Sequence, residues 1–203
     1  MNILEKYDKP FEYCGILIKL FIAYQFFTLW TNPQLSDATK ISDLAILMAF
    51  EFVMVHLGVF MAVMPRKITL YVLVPIYALF ALAFNMSVSN NTILILYLMV
   101  VFNRMRYAFS DVSKAVKSRT IFISVLAAII YFVLIFVMMF NMNSLPEYGL
   151  NANFLDVSGY NAAKTSSGVF ADAPHTAIAF GFIYYSILAI IEALLINKDF
   201  SKK

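Results

Sequence analysis

Residues 120–141, "TIFISVLAAIIYFVLIFVMMFN", form an apolar run without one charged side chain. A helix rises about 1.5 Å per residue, so about 20 apolar residues match the ~30 Å hydrocarbon layer of a bilayer. Five further blocks of similar length and character recur along the chain, and this repetition constrains the fold more than any other feature. They lift the apolar share to 62% and leave 13% charged residues, against about 45–50% and ~25% in soluble domains. The blocks do not alternate in the ten-residue units that a transmembrane barrel requires. The sequence therefore predicts an all-α integral membrane protein: one domain, 1–203, made as a bundle of about six transmembrane helices.

The expected spans are 11–30, 43–64, 68–88, 92–110, 120–141 and 174–196. Pro10 suits the first turn of span one, where a missing N–H costs nothing. Ser42 or Asp43 is the expected cap of span two. Pro75 should kink span three without ending it. Asp172 should cap span six, with Pro174 in its first turn. The N-terminal segment has no small-residue cleavage site after a short apolar core, so it reads as a retained span. A lone cysteine, Cys14, allows neither an internal disulfide nor a thiolate metal cage.

Lysine and arginine set the orientation. With the N-terminus in the cytoplasm, the inner side receives Lys6, Lys9, Arg66, Lys67, Arg104, Arg106, Lys114, Lys117, Arg119, Lys198, Lys202 and Lys203. The outer side receives Lys40 and Lys164, while Lys19 falls within span one. Both termini are thus expected inside (N-in/C-in), in the cell (inner) membrane, with residues 142–173 as one long extracytoplasmic loop. The net charge of +3 is absorbed by this asymmetry and does not point to nucleic acid. Helix connections in bundles usually take about 2–8 residues, so this loop is too long for a simple link. Its Leu145, Tyr148, Phe154, Leu155, Tyr160 and Phe170 suit a cap folded over the outer mouth.

Charged groups near a bilayer centre cost about 2.5–3.5 kcal/mol and usually face protein or water. Five stand out: Lys19, Glu51, His56, Arg104 and Glu192. Lys19 and His56 should lie about 12 Å, and Glu51 about 20 Å, from the cytoplasmic ends of their helices. Glu51, Val55, Gly58 and Ala62 share a helical face whose small residues read as a helix interface. Gly15, Lys19 and Ala23 align likewise on span one, and Gly181, Tyr185 and Glu192 on span six. Glu51 and His56 are about 140° apart round their helix, able to border one wedge of interior without sharing a face.

Two readings of these groups stand side by side. In one they are structural: Lys19 or Arg104 neutralises Glu192, Glu51 is hydrogen-bonded, His56 satisfies a neighbouring backbone group, and Arg104 and Arg106 snorkel to headgroups. In the other, Glu51, His56, Lys19, Glu192 and Arg104 form a polar track for protons or ions, with histidine titrating in the physiological range. Asp172 with His175 would supply only two ligands to a metal, fewer than the three protein ligands of a catalytic zinc site. No metal or other cofactor is expected, and HExxH, GxSxG and Walker patterns are absent from the sequence.

Three function classes follow. The first is a channel, transporter or pore-forming component, able to form its conduit between protomers of a homo-oligomer. The second is a non-catalytic accessory or regulatory subunit that binds a protein partner through the 142–173 loop or the cytoplasmic loops. The third is an intramembrane enzyme on lipid or quinone using Glu51 and His56, the weakest because no nucleophile–base pair is apparent. The bilayer itself is the one partner common to all.

Overall fold

A computed structural model describes residues 8–88, 91, 93–95, 97–98, 101, 114–164 and 167–198. Among them there are helices and turns but no strand. Five helices are long and apolar enough to cross a membrane: α1 (Lys9–Thr31, helical from Asp8), α2 (Ala38–Val63), α3 (Arg66–Asn85), α4 (Lys114–Asn141) and α8 (Pro174–Leu195). The expected fourth span, 92–110, lies mostly outside the described residues. Between α4 and α8 come three short helices: α5 (Ala152–Val157), α6 (Tyr160–Ala163) and α7 (Val169–Asp172).

Helix starts run ahead of the apolar blocks, and α3 stops at Asn85, short of the expected residue 88. α2 starts at Ala38 rather than at Ser42 or Asp43, after a 3₁₀ turn over Leu35–Asp37. The Asp37 carboxylate accepts the Gln34 N–H at 2.9 Å there. α4 starts at Lys114, ahead of its apolar run. Hydrophobic periodicity marks the buried length of a helix, whereas a polar first turn continues it without any periodic signal. Pro174 does occupy the first turn of α8, but Ala173 is the N-cap residue.

Pro75 does not break α3. The five residues Thr69–Leu73 before it form a π turn, and α-helix resumes at Val74. Proline lacks an N–H and its ring crowds the carbonyl four residues back. A widened turn relieves that crowding within a continuous helix. Tyr97 then donates its hydroxyl to the Val74 carbonyl at 2.5 Å.

α8 lies at the centre, packed against α1, α2 and α4. From Pro174 to Gly181 each of its residues is buried, and Ala177, Ala179 and Gly181 let neighbouring backbones come close. α2 serves two cores. Ile41, Met48 and Val55 join Phe26, Tyr131, Ile178 and Phe180 in the larger. Leu47, Phe50, Met54 and Leu57 meet Ala81, Ile93 and Tyr97 in the smaller.

The 142–173 segment folds onto the helices. Leu150, Leu155 and Tyr160 are buried in the larger core, with Leu145, Phe154 and Phe170 packed beside them. Trp30 anchors it to the end of α1: the indole N–H donates to Pro146 O at 2.9 Å, and Gly149 N–H donates to Trp30 O at 3.1 Å. Glycine is required at 149 because a Cβ would lie 2.2 Å from Pro33 Cδ. At the opposite end of the helices, Lys9 reaches Asn197 Oδ1 at 3.4 Å, and Arg119 pairs with Glu12.

Candidate functional site

Glu51 sits midway along α2, on the side facing α8. The Tyr184 hydroxyl donates to one carboxylate oxygen and the Tyr185 hydroxyl to the other, each at 3.3 Å. Consecutive residues on a helix point about 100° apart, so the two phenols approach the carboxylate from either flank. Both bonds exceed the ~2.7–2.8 Å usual for O–H···O contacts. No ion pair to Glu51 is present among the described residues. Tyr131 closes the cluster from α4: its hydroxyl donates to Met48 O at 2.5 Å, and its ring meets Tyr184 edge-on at 5.5 Å. An acid held by neutral hydroxyls has partners in both protonation states, since a phenol both donates and accepts.

His56 is not part of that cluster. Its Nδ1–H donates to Phe52 O, one turn back on α2, at 2.6 Å, and its ring lies 4.3 Å from the Phe52 ring. It is half-buried, and among the described residues nothing bridges it to Glu51. The helical arithmetic that separated the two residues by about 140° has this consequence: α8 covers the Glu51 side and leaves the His56 side to α2 itself.

Lys19 and Glu192 meet. Nζ lies 2.9 Å from Oε2, with side chains 24% and 18% exposed. Glu192 is seven residues beyond Tyr185, on the same face of α8 and about 10 Å further along its axis. Ile16, Ala189 and Ile196 make an apolar cluster near this pair. Arg104, the other candidate cation, lies outside the described residues.

The small-residue positions divide. Gly181 is a close-approach site: a Cβ there would fall 2.4 Å from Phe26 Cε1. Gly58 is buried, as is Val55 on the same face, while the side chain of Ala62 is outside the described set. Gly15 differs from its expected interface role, because a Cβ there would meet only Lys19 Nζ, at 3.8 Å. Alignment with Lys19 places Gly15 on the same side of α1, one turn nearer the helix end, where its neighbour Ile16 makes the contact with Ala189 and Ile196.

Asp172 and His175 do not converge. The Asp172 carboxylate pairs with Lys164 and accepts the Gly168 N–H at 3.0 Å, and the hydrogen bond from Lys164 holds it below the usual carboxylate range. It therefore closes the α7 turn instead of capping α8. His175 Nε2 lies 3.3 Å from Met142 O. Tyr160 donates to Ala171 O at 3.1 Å, and burial, then the charge of Asp172, pushes its phenol up to about 12. Among the described residues no three His, Cys, Asp or Glu side chains gather as a metal site.

Sequence reasoning did not assign Tyr131 and Tyr184 to the site. Tyr185 carried a signal, its seven-residue spacing from Glu192. Tyr131 carried none, since one tyrosine in an apolar span looks like any other aromatic. No family model, curated protein or solved structure matches the chain.

Proposed function

We propose that this chain is a six-span, N-in/C-in bundle of the cell membrane that moves protons, alone or coupled to a solute, with Glu51 as the residue that takes up and releases them. The observation that carries this reading is a mid-span carboxylate held by two tyrosine hydroxyls and by no cation among the described residues. Ionisable groups within membrane spans mark ion and proton pathways when they are not paired away. The route runs from Glu51 through Tyr185 along one face of α8 to Lys19 and Glu192, and bypasses His56. Arg104, the fifth member of the expected track, lies outside the described residues.

The contacts at the two helix ends support an even number of crossings. Lys9 meets Asn197 at one end, and Trp30 meets Pro146 at the other. In a Cys14→Ser background, a membrane-impermeant thiol reagent is expected to label Tyr148→Cys in intact cells and Lys117→Cys only after permeabilisation. Tyr148 is 57% exposed, within reach of the reagent. Labelling of both positions from one side would overturn the topology.

Transport is tested in proteoliposomes carrying an internal pH dye. Wild-type protein is expected to dissipate an imposed pH gradient at least tenfold faster than Glu51→Gln, with Tyr184→Phe/Tyr185→Phe between them. A Glu51→Gln rate equal to wild type would sink the proposal. Wild-type vesicles no leakier than empty ones would sink it too, and a stoichiometric co-purifying protein would then favour the accessory-subunit reading.

A further inference from the structure

The outer thirds of α2 and α4 stand apart, and the gap between them holds a groove of about 290 Å³. Its α2 wall is Ser42, Ala45 and Ala49, small residues spaced by three and four, together with the larger Ile46. Its α4 wall is Ile135 and Met139, one turn apart. Below, the groove stops where Tyr131 ties the two helices together through Met48 O. Above, the α7 segment from Ser167 to Ala171 forms a roof, held by the Lys164–Asp172 pair and the Gly168 N–H bond to Asp172. Gly168 at the roof is exposed, and a Cβ built on it would meet nothing within 4 Å.

Polarity runs in one direction along this groove. Its α2 and α4 walls below Ser42 are apolar (Ala45, Ile46, Ala49, Ile135 and Met139), the Tyr160 hydroxyl is taken up by Ala171 O, and Ser42, Ser167 and the ion pair beside Gly168 lie at the upper rim. An apolar cavity does not hold water, which needs two or more polar partners. Between two membrane-spanning helices the medium at hand is lipid hydrocarbon. From this placement we infer that the groove is a binding site for one acyl chain of an outer-leaflet phospholipid, its headgroup at the Ser42–Gly168 rim. The small side chains at 42, 45 and 49 then have a positive role: they leave room for a chain to lie against α2 beside Ile46. The inference depends on the membrane-spanning helices and not on proton movement, so either stands if the other fails.

The probe is a phosphatidylcholine with a diazirine on one acyl chain, added at one equivalent to the full chain in detergent micelles and mapped by mass spectrometry. Label is expected on 38–49 and 135–139, lost at least fivefold on adding a small excess of unlabelled phosphatidylcholine. Label on the exposed α3 face at Tyr71 and Leu79 should fall only in proportion to dilution. Ala49→Phe, or Met139→Trp as a second way to fill the groove, should abolish the first signal and leave the second. Groove label that merely follows dilution overturns the proposal, and this readout needs no variant to fold. Unchanged groove labelling in a folded Ala49→Phe protein overturns it as well. Stronger labelling by a photoreactive free fatty acid would overturn the phospholipid assignment.

Discussion

Gly181→Ala is expected to destabilise the protein by about 1–3 kcal/mol, the usual cost of forcing extra atoms into a packed core, and Gly181→Leu to prevent recovery of folded protein. The Cβ would sit 2.4–2.6 Å from three atoms of the Phe26 ring. That ring has no room to retreat, being fully buried and stacked on Tyr185 at 6.0 Å. Lipid tails are as apolar as the interface, so helix association in a membrane depends on close packing and not on escape from water. Clash relief supplies the check. Phe26→Leu alone should destabilise by opening a cavity, but in the Gly181→Ala background its cost should shrink or reverse. Thermal denaturation in detergent reads all four proteins. Strictly additive losses would mean that α1 moves away from α8 without resistance, and the close approach at Gly181 would lose its meaning.

Separating Lys19 from Glu192 should cost more. Removal of one member of a buried ion pair leaves the other uncompensated, typically at about 3–5 kcal/mol, whereas removal of both is often close to neutral. The side chains are 24% and 18% exposed, so partial solvation places this pair near the lower end, at about 3 kcal/mol. Glu192→Ala is therefore expected to lower the melting temperature sharply, and Lys19→Met in that background to restore most of the loss. Additive effects in the double-mutant cycle would leave the two charges energetically independent despite their 2.9 Å separation. The same variants bear on transport. A gradient-dissipation rate that rises in Lys19→Met while Glu51 is intact would identify the pair as a barrier on the inner side.

These two contacts differ in how far they were legible beforehand. The sequence offers Glu192 two cations, Lys19 and Arg104, because the cost of an unpaired ion in a thin slab allows few partners, and packing brings Lys19 to it at 2.9 Å. Gly181 was marked as an interface residue by its spacing from Tyr185 and Glu192, but nothing in that spacing named Phe26. Packing partners depend on the rotation and tilt of two helices, and each helix carries several equally apolar faces.

The long apolar blocks and the skewed lysines and arginines are local properties, and a bilayer imposes so strong a demand on backbone hydrogen bonding that composition alone determines helices of spanning length. The all-helical class, the approximate positions of the five described spanning-length helices, and the presence of an ionisable residue in mid-span were present in the sequence by itself. Tertiary structure decided what surrounds that residue. Glu51 and His56 are five positions apart, yet α8 covers only one of them, and the hydroxyls that meet Glu51 come from residues more than a hundred positions away. It also decided that Tyr160 is buried and that the 142–173 segment closes over a groove. Such outcomes depend on which apolar face meets which, a choice that the near-uniform hydrophobicity of the spans leaves open until the helices pack.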